Sequence, residues 1–479
     1  MIGLVATACG SFEASAPAET TGAEPPAAAS VNPPSAKHER TAKPPSSNTA
    51  NSAGSFGTAP EAPTGPLAPE VAEGLETIFG EGLLEGVALD TIRTVSMSKD
   101  PRVAWVFSDL LRFVQVGRLA TDLLDGFEQL TGTELDPAER TPGRSWKAVT
   151  DYLIAWDLPA PPGYVELKQS LYSLIEPGWE PFFADVDANI DWRWISWGGV
   201  QIDDRELGDP AGCPKGCIPA LDDPVVTSGD GGYWYPELAT VFGLVVGDEA
   251  RAYPKNIMEI HEMVNDTIGG RRIGMPYCTL CGSAQAYFTD NVGDDDLVLR
   301  TSGLLSRSNK VMYDLGTKSV FNTFTGEALS GPLQDQGVML EPVTVVTTTW
   351  GEWRAGHPDS TIVTEDAGIG RDYPADPLRG RDDDGPIFPI GNADTRLPIQ
   401  EPVVALISPG GSPLAFPAAA ARESIDAGKV VELTGVQLVV DGGGLRAVDA
   451  NGKPLASHQA FWFAWSQFHP DTALWTPLS

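Results

Sequence analysis

The sequence predicts an α+β protein, with an all-helical domain at 70–185 followed by a β-rich body made of two related, unequal repeats. Apolar residues recur every three or four positions in the first region, which is typical of helices. Short runs of Val, Thr and Leu between Gly, Pro and Asp indicate strands after it. Two stretches of the strand-rich part also resemble each other, so we expect a first β-rich unit at 191–364 and a second, shorter one at 395–479.

The helical prediction depends on three amphipathic segments. They read VAEGLETIFGEGLLEGVALDTIRTV, PRVAWVFSDLLRFVQVGRLATDLLDGFEQLTG and SWKAVTDYLIAW. Pro101 at the start of the second segment and Gly132 at its end are typical of helix termini. The pattern indicates packing and contains no catalytic spacing.

The repeat is clearest in two pairs of segments. VFGLVVGDEARAYP at 241–254 is similar to VVALISPGGSPLAFP at 403–417. The pattern W-x-x-W-x-x-x-H-P-D then occurs twice, first at Trp350, Trp353 and His357 and again at Trp462, Trp465 and His469. On a helix these spacings place both Trp and the His on one face. Because the pattern occurs in both copies, we expect a structural role at helix ends for the two histidines.

The acidic composition excludes one class of partner. The chain of 479 residues has 65 acidic and 32 basic residues, a formal charge of −33. Such a charge repels nucleic-acid backbones and anionic membrane surfaces. We expect no nucleic-acid partner, and membrane contact only through a lipid anchor.

The first residues indicate export. MIGLVATAC at 1–9 resembles the end of a lipoprotein signal, with Cys9 as the acylated residue, and lacks a basic region, so we expect the true start upstream of Met1. Residues 10–69 are mainly Ala, Pro, Ser, Thr and Glu, a composition that predicts a disordered tether. The expected location is the outer face of the cell membrane.

The richest chemistry lies in HEMVNDTIGGRRIGMPYCTLCGSAQAYF at 261–288. Cys278 and Cys281 have the spacing of a metal-chelating or redox-active pair. A turn at Gly269-Gly270 can return the chain so that His261 approaches the sulfurs, and Met312 follows in a later loop. Thiolate, imidazole and thioether together favour copper over zinc.

Two alternatives to a metal site remain open. Cys278 and Cys281 can act as the attacking and resolving thiols of a thiol-disulfide oxidoreductase, or they can form a structural disulfide beside a groove for a small ligand. Polar residues of the two motif-bearing loops are candidates for that groove: Glu262, Asn265, Asp266, Ser302, Arg307, Ser308, Asn309 and Asp314. The sequence assigns no catalytic residue.

A second cysteine pair, Cys213 and Cys217 in GCPKGCIPALDD, has a C-x-x-x-C spacing beside Pro and Gly. In an exported protein a local disulfide is the leading interpretation, and metal capture is the other.

Several motifs together resemble a known family. They are EARAYP, HEMVNDTIGG, YCTLCGSA, TSGLLSRSNKVMYD, FNTFTGEALSGPL, TTTWGEWRAGHPDST and FWFAWSQFHPDT, and they span roughly 191–475. On these motifs the chain is identified as a member of the bacterial family DUF3179, a domain of unknown function. The resemblance implies the His-Glu, Cys-pair and Ser-Gly-Leu-Leu positions but no activity.

Overall fold

The structure is a computed structural model that describes residues 56–477 except 81, 84–85, 210–211, 293–295 and 383–384. Cys9, the predicted signal at 1–9 and most of the predicted tether at 10–69 lie outside the described residues. Among the described residues, no helix is both long enough and apolar enough to span a membrane.

Helices form the first part of the described chain, as the sequence predicts. They are α1 (Pro69–Phe79), α2 (Leu89–Ser96), α3 (Ala104–Phe113), α4 (Gly117–Thr131), α5 (Ser145–Ala155), α6 (Tyr164–Ile175) and α7 (Glu180–Ala184). The second amphipathic segment is divided into α3 and α4, because Val114 and Val116 are extended and Gly117 has φ of +85°. Gly132 ends α4 in the left-handed conformation, at φ 72°.

The rest of the chain is rich in strands. The strands are β1 (Ile195–Trp197), β2 (Leu221–Asp222), β3 (Val226–Ser228), β4 (Thr240–Val246), β5 (Glu249–Pro254), β6 (Met263–Ile268), β7 (Arg271–Cys278), β8 (Ser283–Ala284), β9 (Ala286–Phe288), β10 (Leu299–Ser306), β11 (Asn309–Asp314), β12 (Val320–Phe321), β13 (Pro342–Val343), β14 (Val346–Thr349), β15 (Thr361–Val363), β16 (Pro402–Ile407), β17 (Pro413–Pro417), β18 (Val431–Leu433), β19 (Val436–Asp441), β20 (Gly444–Asp449), β21 (Pro454–Leu455), β22 (His458–Phe461) and β23 (Ala473–Leu474). The helices among them are α8 (Lys255–His261), α9 (Gly331–Asp335), α10 (Trp350–Gly356), α11 (Ala418–Asp426) and α12 (Trp462–Ser466).

These strands form five small sheets in the described part of the chain. Their orders are β1-β10-β11-β12, β13-β9-β7-β6-β2 with β8 beside β7, β14-β4-β5-β15-β3, β22-β16-β17-β23 and β18-β19-β20-β21. The fold is therefore a helical region followed by a β-rich body.

The helical region and the first of these sheets share one hydrophobic core. Tyr172 and Trp179 lie in the same buried cluster as Val311 and Tyr313 of β11. The Trp179 indole also donates to the Ser302 carbonyl at 2.7 Å. The helices thus pack directly on the strands that follow the Cys-x-x-Cys segment.

Two of the sheets have the same strand order. In β14-β4-β5-β15 the first two pairings are antiparallel and the third is parallel. The same holds for β22-β16-β17-β23. In each, a short helix that carries the W-x-x-W pattern follows the first strand of this order, α10 after β14 and α12 after β22.

Candidate functional site

A tight hairpin brings the His-Glu segment to the Cys-x-x-Cys segment. Ile268 of β6 pairs with Arg271 of β7, and Gly269 and Gly270 between them have φ of 57° and 72°. Positive φ at both turn residues suits the twist of a two-residue hairpin. At its other end the Tyr277 amide donates to the carbonyl of Glu262 at 2.9 Å. The predicted chain reversal at the two glycines is confirmed.

Cys278 and Cys281 form a free dithiol where β7 ends. Cys278 is the last residue of β7, and Thr279–Cys281 form one turn of 3₁₀ helix. Both sulfurs approach the carbonyl oxygen of Ser308, at 3.9 Å from Cys278 and 3.3 Å from Cys281. Cys278 is 5% exposed and lines a cleft, whereas Cys281 is fully buried behind it. The two thiols are therefore close together but not equivalent.

Burial also affects the ionisation of Cys281. It raises the pKa of Cys281 well above the ordinary value, and the hydrogen bond and negative charge of the neighbouring Cys278 raise it further. Cys281 thus keeps its proton at neutral pH, and Cys278 is the thiol of the pair that lines the cleft.

A buried ammonium group lies beside the pair. Lys310 Nζ donates to the carbonyl of Glu262 and lies 3.5 Å from its carboxylate oxygen Oε2. The other carboxylate oxygen accepts from Thr279 Oγ1 at 3.0 Å. Burial lowers the pKa of Lys310, while the negative charges of Glu262 and Cys278 act in the opposite direction. Lys310 can therefore stabilise a Cys278 thiolate and supply a proton beside it.

His261 ends α8 and has both ring nitrogens engaged. Nδ1 lies 2.7 Å from the Pro219 carbonyl, which can only accept, so Nδ1 carries the hydrogen. Nε2 then accepts from the Tyr373 hydroxyl at 2.7 Å. Burial lowers the pKa of His261 to about 4, so the ring is neutral at pH 7. This histidine fixes the wall of the cleft.

The predicted set of four metal ligands is not brought together. His261 is bonded to Pro219 and Tyr373, and Met312 lies in a separate core with Phe321. Across the described residues, no group of three or more His, Cys, Asp and Glu is arranged to hold a metal ion. The predicted convergence of His261 with the sulfurs fails because the side chain leaves α8 toward two partners distant in sequence.

Several predicted groove residues instead stabilise the sheets. Asn265 bonds to main-chain atoms of Leu299, and its amide donates to Asp222. Asp266 accepts from Arg251 at 2.6 Å and Tyr253 at 2.8 Å, and burial raises its pKa.

Two more of these candidates support the strand β10 and a nearby turn. Ser302 Oγ donates to the Val311 carbonyl at 2.6 Å. Asp314 accepts from the amide and hydroxyl of Thr317. Neither side chain lines the cleft.

The remaining candidates lie at the turn between β10 and β11. Arg307 stacks on Trp194 with its guanidinium carbon 3.8 Å from the ring centroid, and it donates to the Gln467 carbonyl. Asn309 donates to the carbonyl of Lys310 at 3.3 Å. Ser308 serves the pair through its carbonyl, and its hydroxyl accepts from Gln467. Of the eight predicted groove residues, Glu262 and Ser308 line the cleft.

Cys213 and Cys217 form the predicted local disulfide. Both residues line the same cleft as Cys278. The residue after Cys217 is also held in place, because the Thr301 hydroxyl donates to the Ile218 carbonyl at 2.8 Å. The disulfide therefore belongs to a wall of the cleft.

The cleft itself has a volume of about 1150 Å³. It is lined by residues from every part of the site, among them Glu262, Cys278, Thr279, Lys310 and Arg371. The sequence prediction missed Thr279, Lys310 and Arg371. A signal for Lys310 was present, because a lysine in a buried strand needs a partner.

Comparison with known proteins gives one match. The model of a family described as "Protein of unknown function (DUF3179)" matches residues 215–452. No curated protein and no solved structure matches the chain. The matched region includes β6, β7, the Cys-x-x-Cys turn and β11, which together hold Cys278 and Lys310. The chain therefore belongs to the DUF3179 family.

Proposed function

We propose that the protein is a thiol-disulfide oxidoreductase in which Cys278 attacks and Cys281 resolves. The observation that carries the proposal is the unequal pair, with one thiol on the wall of a cleft and its neighbour buried behind it. A thiol that faces a cleft, with a second thiol protected behind it, suits exchange through a mixed disulfide.

The reaction follows from these positions. The Cys278 thiolate attacks one sulfur of a substrate disulfide, so that a Cys278–substrate bond forms and the substrate disulfide breaks. The leaving thiolate takes a proton, which Lys310 is placed to supply. Cys281 then attacks the Cys278 sulfur, and the bond between Cys278 and the substrate breaks. The Cys281 proton passes to the departing substrate sulfur, which leaves as the second thiol. The enzyme dithiol is oxidised by two electrons and the substrate is reduced by two.

One feature differs from thioredoxin-like sites, where the pair lies at a helix N-terminus. Here the pair lies between β7 and β8, with one 3₁₀ turn. The buried Lys310 ammonium supplies the positive potential instead of a helix dipole.

The test is the reaction of the reduced full-length protein with hydroxyethyl disulfide, a small neutral disulfide. We expect two mercaptoethanol molecules per protein and a Cys278–Cys281 disulfide in the peptide map. Cys278→Ser should not react, and Cys281→Ser should stop at a mixed disulfide on Cys278. Tyr233→Ala, at an exposed residue that does not line the cleft, is the control and should react as the wild type does. Equal rates for wild type and Cys278→Ser would refute the proposal.

A second candidate function is the binding of copper(I) by the two sulfurs alone. Both thiols converge on one carbonyl, and Lys310 would compensate the negative charge of a bis-thiolate complex. Zinc is disfavoured because it takes four ligands. Reduced wild type and the double variant Cys278→Ser, Cys281→Ser should be titrated with copper(I) and with zinc. The wild type should bind copper(I) more tightly than the double variant does. Equal copper(I) affinities in the two proteins would exclude this function.

We also propose that the β-rich body consists of two unequal copies of one unit. The matching strand orders and the two W-x-x-W-x-x-x-H-P-D segments support this. Only the first copy contains the Cys-x-x-Cys segment, which favours that copy as the one that carries the proposed activity. In a crystal structure, residues 241–363 should superpose on 403–475; unrelated chain paths around the two motifs would contradict the proposal.

Attachment to the outer face of the cell membrane through an acylated Cys9 remains part of the proposal. Palmitate labelling in cells should be lost in Cys9→Ser. Labelling that persists in the variant would contradict the lipid anchor.

A further inference from the structure

The cleft beside Cys278 contains an arginine whose charge the protein does not balance. Arg371 lines the cleft, and its guanidinium carbon is 5.9 Å from the centroid of the Tyr373 ring. Among the described residues, no ion pair or hydrogen bond joins Arg371 to a carboxylate. In a chain with 65 acidic and 32 basic residues, a cation without an acidic partner is unexpected.

Hydrogen bonds to the residues that follow Arg371 hold its segment against the wall of the cleft. Tyr373, two residues later, donates its hydroxyl to His261 at 2.7 Å. Pro374 accepts a bond from the Asn256 amide at 3.2 Å. The segment that carries Arg371 is thereby held against α8, the helix that leads into Glu262 and the dithiol.

Two carboxylates that line the cleft are paired with other cations. Glu259 pairs with Lys255 at 3.0 Å, and Asp222 pairs with Arg300 at 2.8 Å. Asp372, the residue after Arg371, also lines the cleft, but it is exposed and is not among the groups that shift the pKa of Arg371. Burial lowers that pKa, as expected for a desolvated cation with little compensation.

A second guanidinium lies on the same stretch of chain. Arg381 also lines the cleft, and in the described part of the chain it donates from Nε to the Leu378 carbonyl. Arginine binds carboxylates through two parallel hydrogen bonds, which makes it the residue suited to recognise such a group.

We propose that the substrate is a small disulfide that bears carboxylates, and that Arg371 binds one of them while Cys278 attacks the sulfur. This assignment rests on the proposed oxidoreductase function and specifies its substrate class. The acidic surface would repel such an anion, so recognition depends on the cationic wall of the cleft.

Three disulfides of different charge test the proposal at constant ionic strength: dithiodipropionate, a dianion; hydroxyethyl disulfide, which is neutral; and cystamine, a dication. Arg371→Gln should slow the reaction with dithiodipropionate about tenfold or more, the loss expected for one charge-assisted hydrogen-bonded pair. It should leave the neutral disulfide unchanged and should not slow cystamine. Arg379→Gln, an exposed arginine of the same segment that does not line the cleft, is the matched control.

Equal slowing of all three disulfides would show a structural effect and overturn the proposal, as would no slowing of the dianion. Suberate, which has the length of dithiodipropionate but no disulfide, tests the site without redox chemistry. Calorimetry should give a Kd for suberate that Arg371→Gln raises about tenfold or more. If suberate binds in this way but no disulfide reacts, the oxidoreductase function fails and the carboxylate site stands. If disulfides react but Arg371→Gln leaves the Kd of suberate unchanged, the carboxylate site is refuted and the oxidoreductase function is retained.

Discussion

The sheets β14-β4-β5-β15 and β22-β16-β17-β23 have the same strand order, but their tryptophan helices face different surroundings. Trp353 of α10 packs in a core with Val241, Ala252 and Ile362, which all lie in strands of its own sheet. Trp465 of α12 packs in a core that also contains Cys278 and Cys281. The second sheet therefore forms the floor of the dithiol, although its own sequence carries no such pair.

The local geometry around the two tryptophans is nearly the same. Trp353 and His357 have ring centroids 4.1 Å apart, and Trp465 and His469 are 4.2 Å apart. Each indole donates to a buried hydroxyl at 2.8 Å, on Ser360 or Thr472. The two sheets differ in what their tryptophan helices pack against. The α10 tryptophan packs within its own sheet, whereas the α12 tryptophan shares a core with the cysteine pair.

The largest expected effect comes from removing either tryptophan. Trp353→Ala and Trp465→Ala should each lower the free energy of unfolding by about 3–5 kcal/mol, because both side chains are fully buried. Only Trp465→Ala should also change the rate at which an alkylating reagent modifies Cys278. Denaturant unfolding and thiol labelling under native conditions measure the two quantities.

Tyr233→Ala is the control for this pair, since Tyr233 is 88% exposed and should change neither quantity. An equal change in Cys278 labelling for the Trp353 and Trp465 variants would remove the distinction between the sheets.

Local features of the site could be predicted from the sequence. The Gly269-Gly270 turn and the local disulfide between Cys213 and Cys217 depend on residues within a few positions of each other. Turn residues and the alternation of apolar and polar residues along a strand indicate such local features directly.

The partners of the polar side chains could not be predicted in the same way. His261 bonds to Pro219 and Tyr373, which are 42 and 112 positions away. Lys310 meets Glu262 across 48 positions. These pairings follow from which strands become neighbours, and a single sequence with no alignment does not determine that. The predicted four-ligand arrangement assumed that closeness along a hairpin also fixes side-chain direction, and no such group of ligands is brought together among the described residues.

A smaller effect should separate the two histidines of the repeated pattern. His357 Nε2 bonds to Asp441 at 2.8 Å, whereas His469 Nε2 is buried without a hydrogen-bond partner among the described residues. Burial lowers the pKa of His469 from 6.5 to about 4. Between these values the unfolded chain binds the proton more readily, so this histidine destabilises the fold as pH falls from about 6.5 toward 4.

His469→Phe should therefore reduce the stability lost between pH 7 and pH 5 by about 1–2 kcal/mol, the size that this pKa difference allows. Denaturant titrations at the two pH values measure the change. His357→Gln is the comparison and should retain the acid-dependent loss that His469 causes. The same pH dependence in wild type and His469→Phe would contradict the assignment.

An effect of similar size concerns the hydroxyls that accept from the two indoles. Ser360→Ala and Thr472→Val leave the Nε1 hydrogens of Trp353 and Trp465 without an acceptor in a buried place. Each change should cost about 1–2 kcal/mol of unfolding free energy, because a buried donor that loses its partner keeps its desolvation cost. Ser360→Thr and Thr472→Ser keep the hydroxyl and are the matched controls, with losses below about 1 kcal/mol. If the two sheets use the bond alike, the losses in Ser360→Ala and Thr472→Val should agree within about 0.5 kcal/mol. A loss at one site alone would mean that the shared strand order does not extend to the energetics of the tryptophan pocket.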